Sequence, residues 1–124
     1  MFENEKPLVD LKSLRELLGD SPANIVEILN LFIEHAPLGI ADIKQFLKSQ
    51  DWEGLRKRVH SIKSYYGYVG NDPLNQKLND WEVALHNKEQ GVDHEGIFAE
   101  LETKTEAIIV RIRQIIKEEY NNDI

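Results

Sequence analysis

The 124-residue chain contains no cysteine. Disulfides and thiolate chemistry are thereby excluded, and a structural zinc would have to rest on histidines and carboxylates. No run approaches the roughly 20 consecutive apolar residues of a membrane-spanning helix. Asn-Gly and Asp-Gly hairpin turns are missing, and so are short runs of apolar–polar alternation, so strand signals are weak. Basic residues are outnumbered, 15 against 22 acidic, for a net charge of -7. Nucleic acid and anionic membrane both call for a basic surface, so neither is expected as a partner. The opening residues Met1 to Lys6 hold two glutamates and no apolar stretch of signal-peptide length, which makes a cytoplasmic location the expectation.

What the chain does have is helix punctuation. Asp10 is placed to cap a short helix with Leu11, Leu14, Leu17 and Leu18 on its apolar face, and Gly19 suits the left-handed position after it. Ser21-Pro22 is a cap followed by proline at the first helical position. Ile25, Ile28, Leu29, Phe32 and Ile33 follow at helical spacing, Pro37 should kink or interrupt the helix, and the pattern resumes at Ile40, Ile43, Phe46 and Leu47. Asp51 opens a helix with Trp52, Leu55, Val59, Ile62, Tyr66 and Val69 on one face, closed by Gly70-Asn71. Asp72-Pro73 opens the next, with Leu74, Leu78, Trp81 and Leu85, closed by Gly91. Asp93 caps the last, which carries Ile97, Leu101, Ile108, Ile112 and Ile115.

Four substantial helices with short connections predict an all-α protein, an antiparallel four-helix bundle with a short extra N-terminal helix. The length suits one domain, with a core over about 8–118 and flexible ends.

The informative segment is Arg56-Lys57-Arg58-Val59-His60-Ser61-Ile62-Lys63, with four cations and no anion in an acidic protein. At about 100° per residue His60 points roughly 130° from the centre of the apolar face, so it should meet water. Its neighbours three and four residues away are Arg56, Lys57, Lys63 and Ser64, and Gly67 lies two turns along on nearly the same line. Glycine inside a helix costs about 1 kcal/mol against alanine and often marks a place of close approach. An exposed imidazole among cations and small residues fits phosphoryl transfer. A histidine of ordinary pKa, about 6.5, is largely neutral at pH 7 and so nucleophilic, and cations stabilise the phosphate it acquires. No acid or base is evident alongside, which suits a carrier rather than an autonomous enzyme.

At these residues the chain resembles the histidine phosphotransfer (HPt) domain family. The motif is a histidine, a lysine three residues on, a small residue four on and a glycine ten on. Here it reads His60-Ser61-Ile62-Lys63-Ser64-Tyr65-Tyr66-Gly67-Tyr68-Val69-Gly70. Leu74, Leu78 and Trp81-Glu82 match the next helix of the family, and Asp10 to Leu18 and Ser21 to Pro37 follow its opening helices.

The resemblance implies a four-helix bundle that shuttles phosphate between aspartates of response-regulator receiver domains, one of which can belong to a hybrid sensor kinase. It implies that His60 is phosphorylated, that Lys63 helps hold the phosphate, and that Ser64 permits docking. Arg56, Lys57, Gly67 and Tyr68 complete the expected docking face. The protein is then a monomeric phosphocarrier with no cofactor and no metal site of its own, any divalent ion coming with the receiver. The chain departs from the family at Ser64, where glycine is usual, and at Tyr65 and Tyr66, where serine or alanine is usual.

Other readings compete with this one. An exposed histidine beside Lys and Arg is most often a solvated face, and Tyr68 can be an incidental exposed aromatic. His86 stands where some family members carry a basic residue, with a surface histidine as its bland reading. Glu82 is expected to make a structural hydrogen bond or to lie on the surface and to take no part in catalysis, His35 and His94 read as incidental, and Trp52 and Trp81 read as core. A two-metal carboxylate bundle needs Glu-x-x-His on two helices, and no histidine here follows an acidic residue at that spacing. The phosphoacceptor hairpin of a sensor kinase usually has an acidic residue directly after its histidine and a proline five after; Ser61 and Tyr65 stand there. A helical-bundle adaptor that binds a protein partner without phosphorylation is the main alternative.

Overall fold

Short polar side chains replace missing carbonyls where the four long helices begin. Ser21 accepts from the Asn24 amide at 3.4 Å ahead of the helix Pro22–Ser49. Asp51 accepts from Gly54 at 2.9 Å ahead of Trp52–Tyr68, and Asp93 accepts from Gly96 at 3.0 Å ahead of His94–Glu119. The helix Asp72–His86 is capped by Asn71, which accepts from Leu74 at 3.0 Å. The cap thus falls one residue earlier than Asp72-Pro73 suggests, and Asp72 becomes a first-turn acid, favourable at the positive end of the helix. With Lys12–Leu18, these are α1 to α5 in chain order. The computed structural model describes residues 7–19 and 21–120, among which there is no strand. Of the ends expected to be flexible, beyond about 8–118, residues 1–6 and 121–124 lie outside the described residues, while α5 continues through Glu119.

Side-chain pairs fix the directions. From Phe46 through Asp42 to Gly39, α2 meets Gly54, Arg58 and Ile62 of α3, one index falling as the other rises. Glu82, Asn79 and Asn75 of α4 meet His60, Lys63 and Gly67 of α3 in the same reversed order. Lys77 and Trp81 of α4 pair with Glu100 and His94 of α5. The bundle is antiparallel, as expected. Its centre is built from the periodic positions read in the sequence, with Leu29, Phe32, Ile43, Leu55, Ile62, Tyr66, Leu78, Trp81, Ile108 and Ile112 fully buried. Tyr66 is core and not chemistry. Thr105 donates to the Leu101 carbonyl at 2.6 Å, so the phenol donates to Thr105 at 2.7 Å, and burial pushes its pKa up to about 12.

Three expectations fail. α2 runs unbroken through Pro37. Proline removes one amide and crowds the carbonyl four residues back, but Phe32 and Ala36 before it and Gly39, Ile40 and Ile43 after it are buried, so packing on both sides holds the helix together. Gly39 is part of that packing, since a Cβ there would lie 2.5 Å from the Ile62 side chain. Leu17 is exposed, because α1 has only two turns and covers α2 with Leu14 alone fully buried. Trp52 is 43% exposed, although its ring packs on His94 at the start of α5.

The N-terminal segment is fastened to the α3–α4 corner. Asp10 N–H donates to the Val69 carbonyl at 2.9 Å, and the buried Asn71 amide donates to the Leu8 carbonyl at 3.0 Å. Between them Gly70 has φ +78°, and a Cβ there would lie 1.9 Å from the Asp10 carbonyl oxygen.

Candidate functional site

The outward face of α3 follows from its buried one. Leu55, Val59, Ile62 and Tyr66 turn inward, which leaves His60 with 62% of its side chain exposed. Counting about 100° per residue, Arg56, Ser64 and Gly67 lie within about 40° of His60 round the helix, Lys57 and Lys63 about 60° away, and Tyr68 about 80° away. The sequence-predicted site residues therefore share one face.

Contacts across α3 and α4 set the chemistry. His60 Nδ1 lies 2.8 Å from Glu82 Oε2, and Lys63 Nζ donates to the other carboxylate oxygen, Glu82 Oε1, at 2.7 Å. Lys63 Nζ also donates to Asn79 Oδ1 at 2.8 Å, and the Asn75 amide donates to the Lys63 backbone carbonyl at 2.8 Å. Asn75, Asn79 and Glu82 stand at i, i+4 and i+7 on the α4 stripe facing α3, so α4 grips Lys63 at its backbone and at its tip. Gly67 is not required for this grip, since a Cβ added there would meet the Asn75 side chain at 3.5 Å, an ordinary van der Waals contact.

Glu82 has 15% of its side chain exposed. Burial alone would raise its pKa, but the hydrogen bonds from Lys63 and then His60 outweigh it and hold the carboxyl below the ordinary range. An ionised carboxylate can only accept. The hydrogen between the two groups therefore sits on His60 Nδ1, which leaves Nε2 as the position for a nucleophilic lone pair, and Nε2 meets no hydrogen-bonding partner among the described residues.

The lowered pKa also makes a prediction. Glu82 stabilises the fold above its unfolded-state value, about 4.3, and that contribution is lost as pH falls through the lower folded-state value. Glu82→Gln lacks the titration. The unfolding free energy of wild type minus that of this variant should fall as pH drops below about 4.3; urea unfolding from about pH 6 downward checks it, and a difference that does not fall is the contrary result.

The cationic segment is less free than it reads. Arg56 is held by Glu53 through two hydrogen bonds, 3.1 and 2.6 Å, and Arg58 by Asp42 at 2.9 Å and by Ser61. Lys57 is exposed and makes no ion pair among the described residues. Ser64 is exposed and Tyr68 is 47% exposed, its ring edge-on to Tyr65 at 6.3 Å. His86 ends α4 one turn beyond Glu82 and is exposed.

The expectation that no acid or base stands beside His60 is overturned by Glu82. That residue makes the structural hydrogen bond expected of it, but the partner is the imidazole itself. Two further histidines make structural contacts that spacing alone does not show. His35 is stacked on Tyr65 at 5.6 Å. His94 accepts from Trp81 Nε1 at 2.9 Å and packs against Trp52 at 4.8 Å, which ties the start of α5 to α4 and to α3. Asn75 and Asn79 were missed entirely; their only signal is a polar amide stripe flanking the apolar face of α4.

Among the described residues no group of three or more metal-ligating side chains is assembled, and no helix is long and apolar enough to cross a membrane. The family model of the Hpt domain matches residues 27–117, which takes in all of α3 and α4 and most of α2 and α5. No curated protein and no solved structure matches the chain.

Proposed function

The chain belongs to the Hpt domain family, and on that premise we propose that His60 is its phosphoacceptor, taking a phosphoryl group from one receiver-domain aspartate and passing it to another. Membership implies histidine phosphotransfer in two-component signalling, by a phosphocarrier module that meets receiver domains. The observation that carries the assignment to His60 is the Glu82 carboxylate on Nδ1 of an otherwise exposed ring.

In this reading the receiver's aspartyl phosphate docks over His60, with Lys57, Ser64, Gly67 and Tyr68 around it and Arg56 at the edge. The Nε2 lone pair attacks phosphorus in line, an N–P bond forms, and the P–O bond to aspartate breaks with the electron pair leaving on the carboxylate. The ring then carries Nδ1–H and Nε2–P together, so positive charge develops on it. Glu82 stabilises that charge and keeps the ring oriented, as a carboxylate does behind other nucleophilic or basic histidines. Lys63 has three N–H donors, two of them used by Asn79 and Glu82; the third serves a phosphoryl oxygen. Reversal of the same steps loads the second receiver. The work is positioning and charge stabilisation, the usual means of phosphoryl transfer. The proposal takes the chain as one HPt-like unit with its core over about 8–118, acting as a monomer, with one receiver belonging to a hybrid sensor kinase.

The test is incubation with a labelled phospho-receiver. Label should move to this protein, be acid-labile and base-stable, and give the NMR signature of an Nε2-phosphorylated ring. Attachment at Nδ1 would overturn the role given to Glu82. No transfer from any of several receivers to the folded protein would overturn the proposal and leave the adaptor reading.

A further inference from the structure

Lys63 and His60 share one carboxylate, and that raises a physical difficulty. A lysine ammonium is a compact charge on a flexible stem. Left to itself beside Glu82 it can bridge both oxygens, which would draw the carboxylate off the imidazole. The structure shows a division instead, with Oε1 to Lys63 and Oε2 to His60. What accompanies the division is Asn79, half-buried on the α3–α4 seam, whose Oδ1 accepts from Nζ at 2.8 Å.

We infer that Asn79 is a positioning residue for the transfer, holding the Lys63 ammonium to one oxygen of Glu82 so that the other stays with His60. The inference rests on the phosphotransfer reading of His60. An amide suits this task for a stated reason. It supplies an acceptor to the ammonium without adding a negative charge beside the incoming phosphoryl group, which an aspartate would add. Asn75, one turn earlier, fixes the other end of the same lysine through its backbone carbonyl. Asn79 thus acts through Lys63 and touches no reacting atom. The competing role is purely structural, a hydrogen bond that joins α3 to α4, and it makes different predictions.

The experiment uses the full chain and a labelled phospho-receiver, and compares wild type, Asn79→Leu, Asn79→Ala, Lys63→Met and the Asn79→Leu/Lys63→Met double variant. Loss of a hydrogen bond to a charged group at a half-exposed position should slow phosphoryl arrival at His60 by about threefold to tenfold. The receiver concentration giving half-maximal rate should not move. In the Lys63→Met background Asn79→Leu should have no further effect, since contacting residues that act as a unit are not additive. Unchanged rates in both Asn79 variants, with His60 still labelled, overturn the inference alone, and so does an equal slowing with and without Lys63. Unfolding of both Asn79 variants also overturns it by making Asn79 a residue of the fold. A wild-type protein that takes no label overturns the phosphotransfer reading and this inference with it.

Discussion

Replacing His60 by glutamine is expected to abolish acid-labile labelling from a phospho-receiver while leaving the bundle folded. The expectation of intact folding comes from the surroundings of the side chain. It is 62% exposed, so little packing is lost, and the glutamine amide can still donate toward Glu82. Glu82 also keeps Lys63. Surface changes of this kind usually stay within about 0.5 kcal/mol. The expectation of complete loss comes from the nucleophile. An amide nitrogen has no available lone pair, and none of the other histidines, His35, His86 or His94, makes a hydrogen bond or ion pair to a carboxylate of another helix among the described residues. Thermal unfolding and a label-transfer assay on the same preparation check both halves. Label that survives the substitution would move the acceptor elsewhere.

The largest expected effect on stability lies away from that face. Gly70→Ala should destabilise the protein by about 2–4 kcal/mol, from two causes that act at one atom. At φ +78° a Cβ crowds its own backbone, which costs roughly 1–2 kcal/mol. The same Cβ would also stand 1.9 Å from the Asp10 carbonyl oxygen, which is backbone and has no flexible end to swing away. The Leu8–Asp10 segment would have to lift, breaking the bonds from Asp10 to Val69 and from Asn71 to Leu8. Urea unfolding measures the total. Hydrogen exchange at Asp10 separates the causes, since rapid exchange there in folded protein would show the segment released. A loss under 1 kcal/mol would mean that the corner accommodates a side chain by a route the contacts do not offer.

Capping and periodicity are local, and they were legible. Ser21, Asp51 and Asp93 start helices where expected, and the three-and-four spacing on α3 correctly turned His60 outward. Arg56 shows a nearer limit. Its partner Glu53 is only three residues away, within reach of a helical reading, but lies just outside the cationic run Arg56–Lys63. Pro37 shows a different one. Propensity argues for a break there, and burial of the residues on either side overrides it. Trp52 read as core because an apolar stripe says which side faces inward but not how completely the neighbouring helices cover it.

By itself the sequence determined the helices, their order, the outward direction of His60 and the lysine one turn on, because each depends on residues within a few positions of one another. Only the tertiary structure decided what touches the imidazole. Glu82 lies 22 residues from His60, and Asn79 lies 16 from Lys63. Whether those side chains meet depends on the reversal at Val69–Asn71 and on the register in which α4 packs on α3. That register is a sum over the whole interface, from Gly67 against Asn75 to the buried rows beneath, and no local pattern states it.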